Sequence, residues 1–427
     1  MRRRASRCAT GEATGGVVVI DRDELGRRLR SVPALEALLP ALRGIDSIHL
    51  VGGAVRDLLL GRQPLDLDLV VEGDAAAVAV KLAGRLGGTV VEHERFGTAT
   101  LAAETGTFDI AGARTESYPR PGALPEVAAA TLAADLARRD FTVHAIAAAL
   151  SEGALGELQA APGALEDLDA QTLRVLHDGS FLDDPTRLLR LVRYESRLQF
   201  TVAPETDRLA REAIASGAPA TVSRARLGDE LRPLLAERGA FAALARARGL
   251  GLLAALHGDL ALDSGVAEAA LAHLPADGRA ELLVLATCCT RFARGDLRAW
   301  LDSLEFTAAE RDPIVAAALD APALAAALSA ARAPSQIAAA ARSHTVEEVA
   351  LAGALGAGEA ANAWLGELRH VQLEIGGDDL IAAGVHEGPA IGHALQAALA
   401  RKLDGALSGP EAELQAALQA AGARGPG

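Results

Sequence analysis

The chain has 427 residues, enough for two or three domains with separate cores, and half of its residues are apolar while only 3% are aromatic. Its formal net charge of -14 argues against nonspecific binding to nucleic acid or to a membrane surface, but it leaves room for a local basic groove. The arginine-rich start is followed by no apolar stretch, and no apolar run approaches a membrane span in length, so we expect no signal peptide and no membrane contact. With only three cysteines, the composition predicts a protein of the reducing cytoplasm.

The chain reads as two kinds of structure in succession. After a leading segment, short β-type runs alternate with helical segments from about Ile45 to Leu150. From about Leu165 onward the strand signals vanish, and amphipathic helical patterns continue to the C-terminus. The sequence therefore predicts an α+β head, with a mixed sheet and helices, followed by an all-helical body.

The first chemically informative stretch is HLVGGAVRDLLLGRQPLDLDLVVEG, residues 49–73. Side chains alternate across a strand, so Asp66 and Asp68 are predicted to share one face while the neighbouring leucines share the other. Two carboxylates held roughly 7 Å apart repel each other unless a cation lies between them. Mg²⁺ bound by one or two carboxylates together with substrate phosphates suits this arrangement.

The two glycines before the acidic pair fit the same chemistry. Gly52 and Gly53 let the backbone approach a phosphate closely, just where a helix is predicted to begin, at about Ala54. Arg56 is predicted to add positive charge near the phosphates, and Asp57 is predicted to have a structural role.

Three further stretches carry a family resemblance. They are ARRDFTVHAIA (137–147), GSFLDDPTRLLRLVRYESRLQF (179–200) and TVSRARLGDEL (221–231). Gly-Gly-x-x-Arg-Asp followed by Asp-x-Asp resembles the nucleotidyltransferase superfamily typified by DNA polymerase β. With the three later stretches, the chain resembles the class II tRNA nucleotidyltransferases, which are the CCA-adding enzymes and their poly(A) polymerase relatives.

The resemblance implies a division of the chain and a set of roles. It implies a tail and leading helix over 1–44, a catalytic head over 45–150, a neck that recognises the base over 151–235, and an RNA-binding body and tail over 236–427. Asp66 and Asp68 match the metal-binding carboxylates, and Asp109 is either a third catalytic carboxylate or a structural residue. The residues implied to bind the nucleotide are Gly52, Gly53, Arg56, Arg138, Arg139, Asp140, His144, Asp184, Arg187, Arg190 and Arg193.

Asp184 and Arg187 match the pair implied to read the incoming base. A carboxylate accepts from an exocyclic amine and a guanidinium donates to a ring nitrogen or carbonyl oxygen, so such a pair suits cytosine and adenine. Pro185 is a favourable first helical residue behind an acidic N-cap. Arg187, Arg190, Arg193 and Arg197 follow at helical spacing, which predicts one basic face.

Two positions depart from the family pattern. His144 stands where relatives usually have Asn, and it can still donate one hydrogen bond, though with different geometry and pH dependence. Glu195 lies in RYESRLQF, where relatives tend to have Phe-Ala-Ala-Arg.

The leading hypothesis is template-independent addition of C, C and A to tRNA 3′ ends from CTP and ATP, with Mg²⁺ as cofactor. Within the same chemistry, addition of A alone to tRNA or as a poly(A) tail stays open, because the segment from His93 to Leu101 does not decide between them. A nonenzymatic RNA-binding relative is the alternative from another class, and the intact acidic and base-reading residues argue against it.

Overall fold

The computed structural model describes residues 21–93 and 97–422. The chain forms two compact units, one ending at Val222 and the other beginning at Ser223. The sequence also predicts a disordered tail over about the first fifteen residues and a frayed end over residues 422–427, GARGPG; the tail, and all of that end except residue 422, lie outside the described residues. The four-part division stays a prediction.

The first unit is built on a seven-stranded mixed sheet. Its strands run in the order β3-β4-β5-β2-β1-β8-β9, and two small two-stranded sheets pair β6 with β7 and β10 with β11. In chain order the strands are β1 Ile48–Val51, β2 Asp68–Val71, β3 Thr89–His93, β4 Thr98–Ala103, β5 Gly106–Gly112, β6 Arg114–Ser117, β7 Glu126–Ala129, β8 Ile146–Ala149, β9 Leu158–Ala160, β10 Thr172–Leu173 and β11 Thr201–Val202.

Among the described residues, nine helices lie in the first unit, and a tenth begins directly after it. They are α1 Arg22–Arg30, α2 Pro33–Ala41, α3 Gly53–Leu59, α4 Ala75–Leu86, α5 Leu132–Ala137, α6 Ala164–Asp169, α7 Ser180–Asp183, α8 Arg187–Leu198, α9 Pro204–Ala215 and α10 Arg224–Leu235. The last of them, α10, belongs to the second unit. A short 3₁₀ turn, Thr142–His144, leads from α5 into β8.

The rest of the second unit is helical throughout its described residues. Its helices are α11 Ala240–Leu250, α12 Leu252–Leu256, α13 Ser264–His273, α14 Ala280–Cys288, α15 Arg294–Ser303, α16 Ala308–Ala330, α17 Pro334–Ala341, α18 Val346–Ala352, α19 Gly358–Gly366, α20 Gly377–Ala382, α21 Pro389–Leu403 and α22 Pro410–Ala420. The predicted α+β head followed by a helical body is confirmed.

Strand order brings distant acidic residues together. β2 pairs in parallel with β5, and the register places Asp68 directly beside Asp109. Because aligned residues on paired strands project to the same face, two carboxylates 41 residues apart share one side of the sheet. The next residues along the two strands, Leu69 and Ile110, project to the other side and are fully buried there.

Local details differ from the sequence-based expectations in three places. Strand β2 begins only at Asp68, while Asp66 lies in the preceding bend, and the first carbonyl that bonds to β5 is that of Leu67, which accepts from the Asp109 nitrogen at 3.1 Å. Helix α3 begins at Gly53, one residue before the predicted start. Strand structure does not end at Leu165, since β10 and β11 form a two-residue parallel pair.

The expectation that no apolar run reaches membrane length was also wrong. Within the described ranges, α16 is long and apolar enough to span a membrane by length and composition alone, and 44% of its most apolar window is buried. Its residues Ile314, Val315 and Leu328 are almost completely inaccessible inside the helical unit. Core packing therefore accounts for its hydropathy.

Candidate active site

The turn from β1 into α3 needs a glycine at its first position. Gly52 has φ of +69°, a left-handed conformation that side chains rarely adopt. A Cβ atom there would lie 2.9 Å from Nη1 of Arg139. Gly52 therefore allows the chain to reverse and an arginine to approach the backbone at the same point.

Three carboxylates gather where the central strand β2 begins, beside this turn. Asp66 and Asp68 are exposed while Leu67 between them is buried, so the predicted alternation holds although the strand is shorter. Asp109 accepts a hydrogen bond of 2.7 Å from Thr100 Oγ1 on the next strand. We call Asp66, Asp68 and Asp109 the acidic edge.

The surroundings of Asp68 disfavour its ionised form. The pKa of Asp68 is raised, first by the surrounding protein and then by the nearby carboxylates of Asp109 and Asp66, while Arg139 acts in the opposite direction. Asp68 is solvent-accessible, but it lies at the base of concave surfaces where protein replaces part of its water. A cation at this edge would relieve the repulsion.

Two neighbouring cavities meet at Asp68. The first has a volume of about 130 Å³, and the predicted site residues that line it are Gly53, Arg56, Asp66, Asp68, His144, Arg190 and Arg193, together with Arg197 of the predicted basic face. The second has a volume of about 300 Å³ and is lined by Asp68, Asp109, Arg138 and Arg139, among others. The structure thus places most of the predicted site residues around one carboxylate.

A buried ionic network forms the wall of the smaller cavity. Asp140 accepts from Arg190 Nε at 2.8 Å and lies 2.9 Å from His144 Nδ1. Burial opposes its ionisation, but Arg190 and His144 outweigh burial and hold the pKa of Asp140 well below its usual value. Arg56 is also buried, donates to Asp57 Oδ1 at 2.7 Å, and has Nη1 2.5 Å from His144 Nε2.

These contacts define the state of His144. Arginine nitrogens only donate, so His144 Nε2 must accept from Arg56, and Nδ1 must carry the proton that is donated to Asp140. Burial lowers the pKa of His144, Arg56 and Arg190 lower it further, and Asp140 opposes them. His144 is therefore a neutral link between an arginine and a carboxylate.

Two other buried carboxylates hold the arginine pair. Arg138 donates to Glu116 Oε1 and to Asp135 Oδ1, both at 2.7 Å, and Arg139 donates to Asp135 Oδ2 at 3.0 Å. Burial opposes the ionisation of Asp135, but Arg139 and Arg138 outweigh it and lower its pKa. Arg139 Nε is buried and has no hydrogen-bond partner within residues 21–93 and 97–422.

The predicted base-reading pair lines neither of these two cavities. Asp184 Oδ1 accepts from the backbone nitrogen of Thr186 at 3.1 Å and from its hydroxyl at 2.6 Å, as expected of a residue that caps a helix start. Helix α8 begins at Arg187. A helix-like turn precedes it, because the Asp184 carbonyl accepts from the Arg187 nitrogen. Arg187 is buried and donates to Ser180 Oγ at 2.6 Å and to the Arg138 carbonyl at 2.8 Å.

The basic stripe on α8 is therefore divided. Arg190, Arg193 and Arg197 line the smaller cavity, whereas Arg187 donates to the carbonyl of Arg138, the residue that directly follows α5. Sequence reasoning missed Tyr194, whose ring lies 5.4 Å from the Arg190 guanidinium and 4.3 Å, edge-on, from the His144 ring. It also missed Asp135, although helical spacing three and four residues before the two arginines was a usable signal.

Comparison with known proteins gives a consistent set of relatives. Residues 48–174 match the family described as the poly A polymerase head domain. The A-adding tRNA nucleotidyltransferase of Geobacter sulfurreducens is 43% identical over 216 residues, which are 50% of this chain and 24% of that protein. The CC-adding tRNA nucleotidyltransferase of Deinococcus radiodurans is 44% identical over 191 residues, 44% of this chain and 50% of that protein. The chain thus spans half or less of the length of these two curated relatives.

A solved structure matches over a greater length. The Thermotoga maritima CCA-adding enzyme complexed with tRNA has a TM-score of 0.77 at 28% identity, covering 92% of this chain and 98% of that one. The family match covers all residues of the acidic edge and the arginine pair Arg138 and Arg139. The predicted resemblance to class II tRNA nucleotidyltransferases and poly(A) polymerases is therefore confirmed, and residues 48–174 are similar to the poly(A) polymerase head domain.

Proposed function

We propose that this protein is a nucleotidyltransferase that adds C, C and A to the 3′ end of tRNA without a nucleic-acid template. In this reaction the tRNA 3′-hydroxyl attacks the α-phosphate of CTP or ATP, and pyrophosphate leaves. The observation that carries the proposal is the acidic edge, where Asp68 lies in register with Asp109 and lines two arginine-lined cavities. A cytoplasmic location is part of the proposal.

The residues at the acidic edge fit a divalent cation. Nucleotidyltransferases of this family generally use a divalent metal ion. The described residues contain no group of three or more His, Cys, Asp or Glu side chains arranged to hold a metal by themselves. Mg²⁺ is commonly held by one or two carboxylates plus substrate phosphates, which is the arrangement that Asp66 and Asp68 would complete when a nucleotide binds.

The metal would supply charge neutralisation at the phosphates and activation of the attacking hydroxyl. The chain's own residues would orient the substrates. Arg139 lines the cavity beside Asp68, where its guanidinium would place positive charge near the phosphates. Arg190 and Arg193 place positive charge on the other side of Asp68. Ordered charges of this kind stabilise the transferred phosphoryl group without reorganisation during the reaction.

Base selection is assigned to Asp184 and Arg187. Asp184 is held by Thr186, and Arg187 is held by Ser180 and the Arg138 carbonyl, so both side chains are fixed before a nucleotide arrives. A fixed acceptor beside a fixed donor matches the amine and acceptor edge that cytosine and adenine share. Uracil and guanine present the opposite pattern.

A second candidate is addition of A alone. It is favoured by A-adding relatives that are 42–43% identical to this chain over up to half of its length. The match to a CCA-adding enzyme in complex with tRNA extends over both units and favours the full activity.

Primer extension distinguishes these functions. Three tRNA substrates, ending at the discriminator base, at C and at CC, would be incubated with each labelled nucleotide separately and with Mg²⁺. We expect CTP to extend the first two and ATP to extend the third. Extension of only the CC-ended tRNA would replace the proposal by A addition, and tRNA binding without extension would indicate a nonenzymatic relative. The Asp68→Asn protein controls for contaminating host enzyme.

A further inference from the structure

Glu116, on the exposed ribbon formed by β6 and β7, binds its near neighbours Arg114 and Tyr118 and joins them to Arg138, which directly follows α5. Its Oε1 accepts from Arg138 Nη1 at 2.7 Å and from Arg114 Nη2 at 3.1 Å, while its Oε2 accepts from the Tyr118 hydroxyl at 2.9 Å. Its side chain is only 8% exposed. A buried carboxylate with this many donors is an organised site, since leaving its partners unsatisfied would be costly.

Arg138 connects Glu116 to the base-reading pair. The Arg138 side chain is held by Glu116, and the Arg138 carbonyl accepts from Arg187 Nη2 at 2.8 Å. The position of residue 138 therefore helps to set where the Arg187 guanidinium lies. A carboxylate that never touches the nucleotide can in this way influence how the base edge is read.

The Tyr118 hydroxyl donates to the second carboxylate oxygen of Glu116. Tyr118 is also the first residue of a connector, residues 118–122, that contacts the backbone just before Asp184. Burial and Glu116 raise the pKa of Tyr118, so its hydroxyl remains a donor. Further along, the Gly122 nitrogen donates to the carbonyls of Leu182 and Asp183, at 3.2 and 3.3 Å. Gly122 has φ of +70°, and a Cβ there would lie 2.2 Å from Thr221 Oγ1, so the connector fits closely. Its two ends are thus tied to Glu116 and to the residue before Asp184.

We propose that Glu116 and Tyr118 are positioning residues that determine nucleotide specificity by holding Arg187, through Arg138, in register with the incoming base. This inference rests on the proposed function. It adds two residues that are not among those proposed to bind the nucleotide. They would act from the β6–β7 ribbon through Arg138 on Arg187 at the start of α8.

The test uses the full chain and measures kcat and KM for CTP, ATP, UTP and GTP on tRNA primers. Tyr118→Phe removes one hydroxyl, and Glu116→Gln keeps the shape but removes the charge. We expect each to lower the ratio of kcat/KM for CTP over UTP by about two- to tenfold, the value of one hydrogen bond within an organised site, mainly through a higher KM for CTP. Glu126→Gln, on the exposed partner strand of the same ribbon, is the matched control and should leave the ratio unchanged.

A double variant tests the route through Arg187. If Glu116 acts by positioning Arg187, Glu116→Gln should cause no further loss of selectivity in an Arg187→Ala background, because coupled residues are non-additive. Full additivity would overturn the inference. So would unchanged selectivity in both Tyr118→Phe and Glu116→Gln when Arg187→Ala does change it, and in that case the proposed function would stand. If Arg187→Ala leaves selectivity unchanged, the base-reading part of the proposed function fails instead.

Discussion

The head contains two groups of carboxylates that differ in their surroundings. Glu116, Asp135 and Asp140 are each held by arginines, and the pKa values of Asp135 and Asp140 are lowered despite their burial. Asp66 and Asp68, by contrast, form no ion pair with the described residues, and the pKa of Asp68 is raised.

The difference indicates two tasks. A carboxylate paired with arginine stabilises the fold and fixes the arginine, whereas like charges left together at an exposed edge cost stability and gain from a cation. On the proposed function, the paired carboxylates organise the arginines that would bind substrate, and the acidic edge is left for the metal and the phosphates. The comparison predicts that substitutions in the two groups will have opposite consequences for stability and activity.

The largest expected effect is on activity, at the acidic edge. Asp68→Asn should lower kcat/KM by about a thousandfold, because a metal ion contributes several kcal/mol to the transition state and about 1.4 kcal/mol corresponds to tenfold. The melting temperature should be unchanged or slightly higher. A folded state in which the pKa of Asp68 is raised favours the protonated form, so the ionised carboxylate weakens folding at neutral pH.

Primer extension and thermal unfolding check both halves of this prediction. Asp46→Asn, an exposed aspartate on the same head, is the control for charge removal alone. A folded Asp68→Asn protein with normal extension would show that Asp68 does not hold the metal.

The next effect is on stability, in the paired group. Asp140→Asn should destabilise the head by about 3 kcal/mol, because it leaves Arg190 beside a buried site without its counter-charge. Since the folded pKa of Asp140 is lowered, its contribution is present above the ordinary aspartate range near pH 4 and is lost as pH falls through the folded pKa. The gap between wild type and variant should therefore shrink in acid.

The two units can be followed separately. Tyr118 and Tyr194 lie in the first unit, and Trp300 and Trp364, the only tryptophans, lie in the second. We expect the tyrosine-derived near-ultraviolet signal of Asp140→Asn to melt earlier while tryptophan fluorescence changes little. Equal stability of variant and wild type would mean that Asp140 does not stabilise the head as a paired carboxylate.

The parts of the candidate site also differ in how far the sequence could predict them. The alternation around Asp66 and Asp68 and the helix start at Asp184 are local patterns, and the structure retains both. The contact between Arg56 and His144 joins residues 88 positions apart, and it requires β1 and β8 to be neighbours. Helical spacing alone also grouped Arg187 with the arginines that line the smaller cavity, although its buried side chain donates to Ser180 and to the Arg138 carbonyl instead. Local periodicity cannot predict contacts that strand order creates.

A smaller effect, on selectivity, is expected at the base-reading pair. Arg187→Ala should lower the ratio of kcat/KM for CTP over UTP by about ten- to a hundredfold, equivalent to roughly 1–3 kcal/mol for a bidentate contact. Asp184→Ala should do the same and should also loosen the start of α8 by about 1 kcal/mol, because Thr186 loses its acceptor. Circular dichroism on melting separates the capping effect from the reading effect. An unchanged ratio in both folded variants would mean that neither residue reads the base.

The smallest effect is expected at His144, where the paired network contains a group that can change charge. Asparagine can also donate to Asp140 and accept from Arg56. His144→Asn should therefore keep activity within about threefold near pH 8 and change stability by about 1 kcal/mol, the value of the ring contact between His144 and Tyr194.

The pH dependence of the two proteins should differ more than their activity near pH 8. The folded pKa of His144 is lowered, so its contribution to stability is present above the ordinary histidine value of about 6.5 and is lost as pH falls through the folded pKa. Protonation would also turn Nε2 from an acceptor into a donor facing Arg56. Wild type should therefore lose kcat/KM and melting temperature between about pH 7 and pH 5 more steeply than His144→Asn. Parallel pH profiles would show that His144 does not titrate in this range, and loss of activity near pH 8 in a folded His144→Asn protein would show that the imidazole does more than link Arg56 to Asp140.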